Sequence, residues 1–556
     1  MPNWLNDAVF YEIYPQSFLD SNGDGIGDLN GITEMLDYLK EEGFNAIWLN
    51  PCFDSPFKDA GYDIRDYKKV AERYGSNEDL INLFHEAHER GIHVLLDLVP
   101  GHTSEEHPWF RQSQSQEMNP YSNRYIWTDF CFRPAAGYPF ISGESERSGA
   151  YILNFFKCQP ALNYGFLHPT EEWQFPMDHP DCIATRESMK DIMRFWLEQG
   201  CDGFRVDMAS SLVKGDDEQK SGTSLLWRNV RKWLDIHFPN AALVSEWGNP
   251  VQALNAGFHM DFMLNEPGRG YNRLTRDYQN HSRKIILARD GFIGDDSPRP
   301  ILEDHSYFRA DSNTDALPFL QEYMRDYETT KSLGYISLIS CNHDTVRPSY
   351  NMNTRELKLF YSFLLSMPGV PFMYYGDEIG MRYQNLPSKE GGYFRTGSRT
   401  PMQWEHTPNL GFSETTITSS LYLPVDPAPD APTAEDQITD PDSLLNSVRA
   451  MTTLRHQISD LKATPNLRIL YAEKGNPLCV FQRGHLIIAM NPSMETRDLI
   501  LSDEQIHATQ KRLGIEKSEI HFPDNSGKLL YKVGNGTYDV SAQYLHIEPQ
   551  SFVIFQ

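Results

Sequence analysis

The chain has little with which to build a disulfide scaffold, a thiolate metal cluster or a membrane span. Its 556 residues include seven cysteines, at positions 52, 131, 158, 182, 201, 341 and 479. The number is odd and no two stand in CxxC spacing, which argues against both a disulfide framework and a zinc site. No stretch reaches the roughly 20 apolar residues that a membrane helix needs. The opening residues, Met1-Pro2-Asn3-Trp4-Leu5-Asn6-Asp7, lack the basic start and apolar run of a secretory signal. The expectation is a cytoplasmic protein. Basic residues are also scarce: 50 Lys and Arg stand against 76 Asp and Glu, a formal net charge of -26. Such a field repels phosphate backbones and anionic bilayers, so neither nucleic acid nor membrane is an expected partner. A neutral sugar is nearly indifferent to it.

What is present is a rhythm. Short apolar runs rich in β-branched and aromatic residues occur at Ala8–Tyr14, Ala46–Leu49, His93–Val99, Gly203–Met208, Leu243–Trp247, Met260–Leu264, Tyr335–Ser340 and Val370–Tyr375. They lack alternation, as strands covered on both faces do. Amphipathic stretches predict helices between and after them, near 31–43, 76–90, 184–200, 222–238, 249–256, 314–333, 354–367 and 441–461. Eight strand–helix pairs predict an α/β fold, a (β/α)8 TIM barrel. The rhythm is broken twice. A stretch rich in Pro, Gly, Ser and aromatics at 103–180 predicts a subdomain inserted after the third strand. A loop at 379–440 follows the eighth. After residue 465 short strands such as Leu478–Gln482 and Leu486–Asn491 predict a C-terminal antiparallel β domain. The expected division is barrel 1–102, subdomain 103–180, barrel 181–464 and β-sandwich 465–556.

A barrel carries its active site at the C-terminal ends of its strands. The third run there holds Asp97 and leads to His102. The fourth holds Arg205 and Asp207, the fifth ends in Glu246, and Asn342-His343-Asp344 follows the seventh. Acids in apolar runs are costly unless paired or used. Glycoside cleavage uses such a set: one carboxylic acid protonates the leaving oxygen and one carboxylate meets the oxocarbenium-like centre. Arg205 and Asp207, two residues apart on a strand, share a face, so Arg205 is expected to keep Asp207 ionised.

The segments Asp97-Leu98-Val99-Pro100-Gly101-His102, Gly203-Phe204-Arg205-Val206-Asp207, Ser245-Glu246-Trp247 and Asn342-His343-Asp344 resemble the four sequence regions of the α-amylase family, glycoside hydrolase family 13, in the family's order. The resemblance implies Asp207 as nucleophile, Glu246 as general acid/base and Asp344 as transition-state stabiliser. It implies His102, His343 and Arg205 as binders of the transferred sugar. Asp59-Ala60-Gly61-Tyr62-Asp63-Ile64 and the pair Arg395 and Arg399 resemble the oligo-1,6-glucosidase and trehalose synthase branches. There Tyr62 would stack under the terminal glucose, Asp59 would bind its hydroxyls, and Arg395 would pair with Asp59 to close the pocket.

The segment Asp20-Ser21-Asn22-Gly23-Asp24-Gly25-Ile26-Gly27-Asp28 offers oxygen ligands at alternate positions, as hard cations require. Gly31 stands where an EF-hand would have its Glu. The resemblance implies a structural Ca²⁺ site (Mg²⁺ is the alternative) on Asp20, Asn22, Asp24, the Ile26 carbonyl and Asp28. Two positions depart from the family pattern. Gly101 replaces the usual Asn before His102, which argues against an amylase-type calcium site there. Ala161 replaces the usual Asp in Gln159-Pro160-Ala161-Leu162-Asn163, a segment resembling the fifth region. The functions that follow are an exo-acting retaining α-glucosidase on short oligosaccharides or disaccharides, a transglucosylase or isomerase of the trehalose synthase or sucrose isomerase type, or a non-catalytic binding relative. Linkage, phosphorylation of the substrate and oligomeric state stay open.

Overall fold

The computed structural model describes residues 1–264, 266, 268–279, 304–391, 395–417, 420–515 and 526–556. Eight strands form one parallel sheet: β1 Phe10–Ile13, β2 Ala46–Leu49, β3 His93–Leu98, β4 Gly203–Val206, β5 Ala242–Ser245, β6 Met260–Met263, β7 Tyr335–Leu338 and β8 Phe372–Tyr374. Sequence neighbours pair from β1 to β7, and β1 pairs β8 through Phe10↔Phe372. The seam between β7 and β8 is closed by the bridge Ile339↔Phe372. Ser340 continues that seam with its side chain: Oγ accepts from Tyr374 N at 3.0 Å and donates to Asp377 Oδ2 at 2.6 Å. Nearly every strand residue is buried, which explains runs without alternation. Phe262 and Trp48 stack inside the barrel at 5.4 Å, with Phe372 edge-on to Phe262.

The helices follow the amphipathic pattern, with ends set by capping chemistry. The expected helix near 31–43 is two pieces, Leu29–Glu34 and Leu36–Glu41, because Met35 adopts non-helical angles of φ -97° and ψ 8°. The third barrel helix starts at Pro180 rather than near 184: His179 accepts from Asp181 N, and Pro180 fills the first helical position. Asn249 and Pro250 likewise start the short helix Pro250–Asn255.

Residues 103–180 carry a helix at Pro108–Ser113, a hairpin of Phe140–Ser142 with Ala150–Ile152, and a small core of Ile126, Ala135, Ile152, Ala161, Phe166 and Trp173. Beyond 465, a five-stranded and a three-stranded antiparallel sheet face each other. Alternate residues of the larger sheet split between two cores: Leu470, Val480 and Ile487 face the smaller sheet, while Ile469, Phe481 and Ile488 join the barrel's core. The all-β expectation misses one helix here, Asp503–Arg512, whose Ile506 is buried in the sandwich core. Among the described residues no helix is long and apolar enough to cross a membrane.

Two buried arginines brace the barrel where this domain meets it: Arg483, from the β domain, and Arg455, in the barrel helix Leu444–Gln457, both bind carbonyl oxygens. Arg483 donates to Ser366 O, to Lys462 O at 2.6 Å and to Asn466 Oδ1 at 2.6 Å. Arg455 donates to Leu365 O at 2.6 Å, Met367 O at 3.0 Å and Gly369 O at 2.5 Å. The carbonyls of 365, 366 and 367 are the free acceptors at the C-terminus of helix Thr354–Ser366, where cations are favoured. Burial pushes Arg455 down to about 9 and Arg483 to about 10. Arg483→Met should lower stability by about 3 kcal/mol, the scale of losing charge-assisted hydrogen bonds in a buried site. Chemical denaturation with a barrel-core and a β-domain probe measures it; a loss below about 0.5 kcal/mol contradicts this role.

Candidate active site

The ladder of the barrel runs one residue past β4 and β5. Asp207 N donates to Leu98 O at 2.9 Å and Glu246 N to Val206 O at 3.0 Å. That extension sets both carboxylates at the C-terminal rim. Next to Asp207, Met208 takes left-handed angles of φ 42° and ψ 42°, costly for a side chain with a Cβ. The bend aims its N–H at Glu246 Oε2, 3.0 Å away.

Arg205 lies beneath both acids, 1% exposed. Its Nη1 reaches Asp97 Oδ1 at 2.9 Å and Asp207 Oδ1 at 3.0 Å; its Nη2 reaches Glu246 Oε2 at 2.8 Å. The indole of Trp48 covers the guanidinium at 4.9 Å and donates to Asp97 Oδ2 at 3.1 Å. Arg205 therefore does not serve Asp207 alone, as its position two residues away suggests. Burial pushes Asp207 and Glu246 each up to about 7, and Arg205 only moderates the rise. Burial also carries Asp97 up to about 6, against Arg205 and the donors Tyr62 and Trp48.

Asp344 has the opposite surroundings. Arg395 Nη1 and Arg399 Nη2 both donate to its Oδ1, at 2.8 and 2.7 Å. Burial disfavours its charge, yet His343, Arg395 and Arg399 hold it well below the usual carboxylate range. Arg395 also pairs with Asp59 Oδ1 and so bridges the two acids. Gln159 Nε2 donates to the other oxygen of Asp59 at 2.6 Å. Asp63 shapes the loop carrying Asp59 and Tyr62: it accepts from Lys58 N and Asp59 N, each at 3.0 Å.

Tyr62 lies nearly parallel to the His343 ring, with centroids 5.3 Å apart, and its hydroxyl lies 2.9 Å from Asp97 Oδ2 and from His343 Nε2. His343 Nδ1 lies 2.8 Å from Glu12 Oε1 on β1. Burial moves His343 well down and Glu12 well up, so both tend toward their neutral forms. His102 also turns inward. Its Nε2 donates to Tyr62 O at 3.0 Å, and its Nδ1 accepts from Asn154 Nδ2 at 3.0 Å. Both ring nitrogens are engaged, so His102 presents a ring edge to the cavity rather than a free donor. Burial pushes it down to about 4, which keeps it neutral.

Asn154 explains the glycine at 101. A Cβ there would lie 2.8 Å from Asn154 Nδ2. Asn154 Oδ1 in turn accepts from Lys214 Nζ at 3.1 Å, and Lys214 also donates to Ser211 O at 2.7 Å. An ammonium on these oxygens repels a calcium ion, in keeping with the loss of Asn at 101. Elsewhere, the loop 20–28 folds its carboxylates onto N–H groups of its own and of the helix that follows it. Asp20 accepts from Gly23 N and Gly25 N, both at 2.7 Å, and Asp28 from Gly31 N at 2.7 Å. Asp24 is raised by burial, and Asp20 and Asp28 repel it further.

These side chains meet around a cavity of about 220 Å³, lined by Asp59, Tyr62, His102, Phe155, Gln159, Asp207, Met208, Glu246, Asp344 and Arg395. Sequence patterns missed several of its supports. Glu12 sits inside an apolar run and carries no motif. Gln159 opens the segment resembling the fifth region, which was a signal to find it. Glu390 is buried behind Arg399, 2.9 Å from Nη1. Asp261 on β6 caps the loop after Glu246, accepting from Ser245 Oγ at 2.6 Å and Trp247 N at 3.1 Å. The cavity can hold a small polar ring between one firmly ionised carboxylate and a pair that exchanges a proton near neutrality.

Residues 12–463 match the family model for the α-amylase catalytic domain. Trehalose synthase/amylase TreS of Mycolicibacterium smegmatis is 35% identical over 487 residues, covering 82% of this chain and 76% of that protein. Oligo-1,6-glucosidase of Heyndrickxia coagulans is 31% identical over 513 residues, covering 82% and 86%. The crystal structure of isomaltulose synthase from Erwinia rhapontici NX5 superposes with a TM-score of 0.74 at 25% identity, over 100% of this chain and 99% of that one. The strand order, the four rim acids and these matches agree, and the chain belongs to the α-amylase family of glycoside-acting enzymes, glycoside hydrolase family 13.

Proposed function

We propose that the protein is a retaining, exo-acting α-glucosidase of short oligosaccharides or disaccharides. The observation that carries this is the shared guanidinium: Asp207 and Glu246 hang on neighbouring nitrogens of Arg205, which draws the two carboxylates together at one cavity wall. A close pair suits nucleophile and acid/base, whereas inversion needs room for water between them. Glu246 protonates the leaving oxygen, Asp207 takes the anomeric carbon, and water activated by Glu246 releases the sugar. Asp344, held ionised by its arginines, stabilises the oxocarbenium-like centre. The volume of about 220 Å³ suits one sugar ring rather than a threaded chain. The Asp59–Arg395 pair, nearly fully buried, walls it, so only a chain end enters.

A transglucosylase or isomerase is the second reading. It is favoured by the similarity to trehalose synthase/amylase TreS and to isomaltulose synthase. The chemistry is shared up to the glucosyl-enzyme; the acceptor differs. Product analysis with maltose, isomaltose and sucrose separates them: free glucose supports hydrolysis, and an isomeric disaccharide supports transfer. On the first reading NMR during early turnover records α-glucose, and β-glucose first would refute retention. Asp207→Asn should lower kcat by at least about 10³-fold with an unchanged melting temperature.

Both Asp207 and Glu246 sit at about 7, so kcat/KM should follow a narrow bell near neutral pH. The acidic limb reflects protonation of the nucleophile and the alkaline limb loss of the Glu246 proton. A flat profile from about pH 5 to about pH 9 would contradict the assignment.

The loop 20–28 is proposed to hold a structural Ca²⁺ on Asp20, Asn22, Asp24, the Ile26 carbonyl and Asp28. Support comes from the repulsion of Asp24 by Asp20 and Asp28, which a divalent cation would relieve. Calcium at a hundredfold excess over its Kd should add about 2.7 kcal/mol of stability. A melting temperature unmoved by EDTA and by restored calcium refutes the site.

A further inference from the structure

At the opposite, N-terminal end of the barrel, three metal-ligating side chains converge from three elements. His88 lies in helix Asn77–Glu89, His93 opens β3, and Asp202 immediately precedes β4. Asp202 turns one oxygen to each imidazole. His88 Nε2 lies 2.7 Å from Oδ2, and His93 Nδ1 lies 2.9 Å from Oδ1. One ligand atom from each of the three lies within 4.8 Å of the others.

The arrangement is braced from behind. Val94 N donates to Asp202 Oδ2 at 2.8 Å, and Asp202 N donates to Val94 O at 2.9 Å. Trp4 stacks on the His93 ring with centroids 4.0 Å apart, and its indole N–H is anchored on Asn240 O at 3.0 Å. Such partners fix ring orientation, as supporting groups do around metal ligands. The front stays open: the side chains of His88 and His93 are 40% and 31% exposed, so water can complete a coordination sphere.

We propose that His88, His93 and Asp202 form a binding site for a divalent first-row transition metal. Two imidazoles and a carboxylate suit metals that take nitrogen and oxygen donors. The ion replaces the protons now shared between Asp202 and the imidazoles. Protons and the metal compete for the same nitrogens, so binding strengthens with rising pH. The three ligands join a helix to two strands, far from the catalytic rim, so the ion acts as a staple.

The test uses the full untagged chain, stripped with EDTA and titrated calorimetrically with NiCl₂ at about pH 8. His88→Ala and His93→Gln are titrated beside it, after their melting temperatures in EDTA show that they fold. The wild type should bind one more equivalent than either variant, and Ni²⁺ should raise the melting temperature of the wild type alone. Equal stoichiometry in wild type and His88→Ala overturns the site, as does the absence of saturable binding to the wild type.

Discussion

One guanidinium organises the rim of this barrel. Arg205 is buried under Trp48 and touches Asp97, Asp207 and Glu246, which come from three different strand ends. A buried arginine without partners would be prohibitively costly, and so would three buried carboxylates. Each side makes the other tolerable. The parallel sheet is what allows it: Asp97 and Arg205 are register partners on β3 and β4, and the ladder extends to bring Asp207 and Glu246 level with them.

The count of charges around the cavity has a chemical consequence. Glu12, Asp59, Asp97, Asp207, Glu246, Asp344 and Glu390 face three arginines, Arg205, Arg395 and Arg399. Burial raises the proton affinity of these acids, and the arginines decide which of them resist it. Asp344 touches two, each shared with one other acid, and stays ionised. Glu390 keeps its charge against burial through Arg399. Glu12 has none in contact and rises. Asp207 and Glu246 share one with Asp97 and fall between these extremes, near neutrality, where acid and base catalysis work best. Polar side chains set the remaining geometry. Gln159 orients Asp59, Asp261 caps the turn after Glu246, and Asn154 fills the space that Gly101 leaves beside His102.

Much of this was legible in one dimension. The eight apolar runs without alternation announced strands covered on both faces, and the acids at their ends marked the rim. Helix ends were less legible: the helix expected from about 184 starts at Pro180, because its cap at His179 depends on a single hydrogen bond rather than on periodicity. The helix Asp503–Arg512 escaped notice because it is short and mostly polar, with Ile506 as its main buried apolar contact. Glu12 was invisible, since one acid in an apolar run says nothing until its neighbour across the barrel is known.

Read alone, the chain settles the barrel, its order of strands and the chemical kinds gathered at its mouth, because periodicity and residue type act locally. It also suggests that Arg205 belongs to Asp207, its neighbour two residues along. Only the folded barrel reveals that Arg205 is divided among three acids while Asp344 is held by two arginines at once. Adjacency in sequence fixes which face a side chain shares, whereas proton affinity follows distance through a low-dielectric interior, and those distances run between strands far apart in the chain.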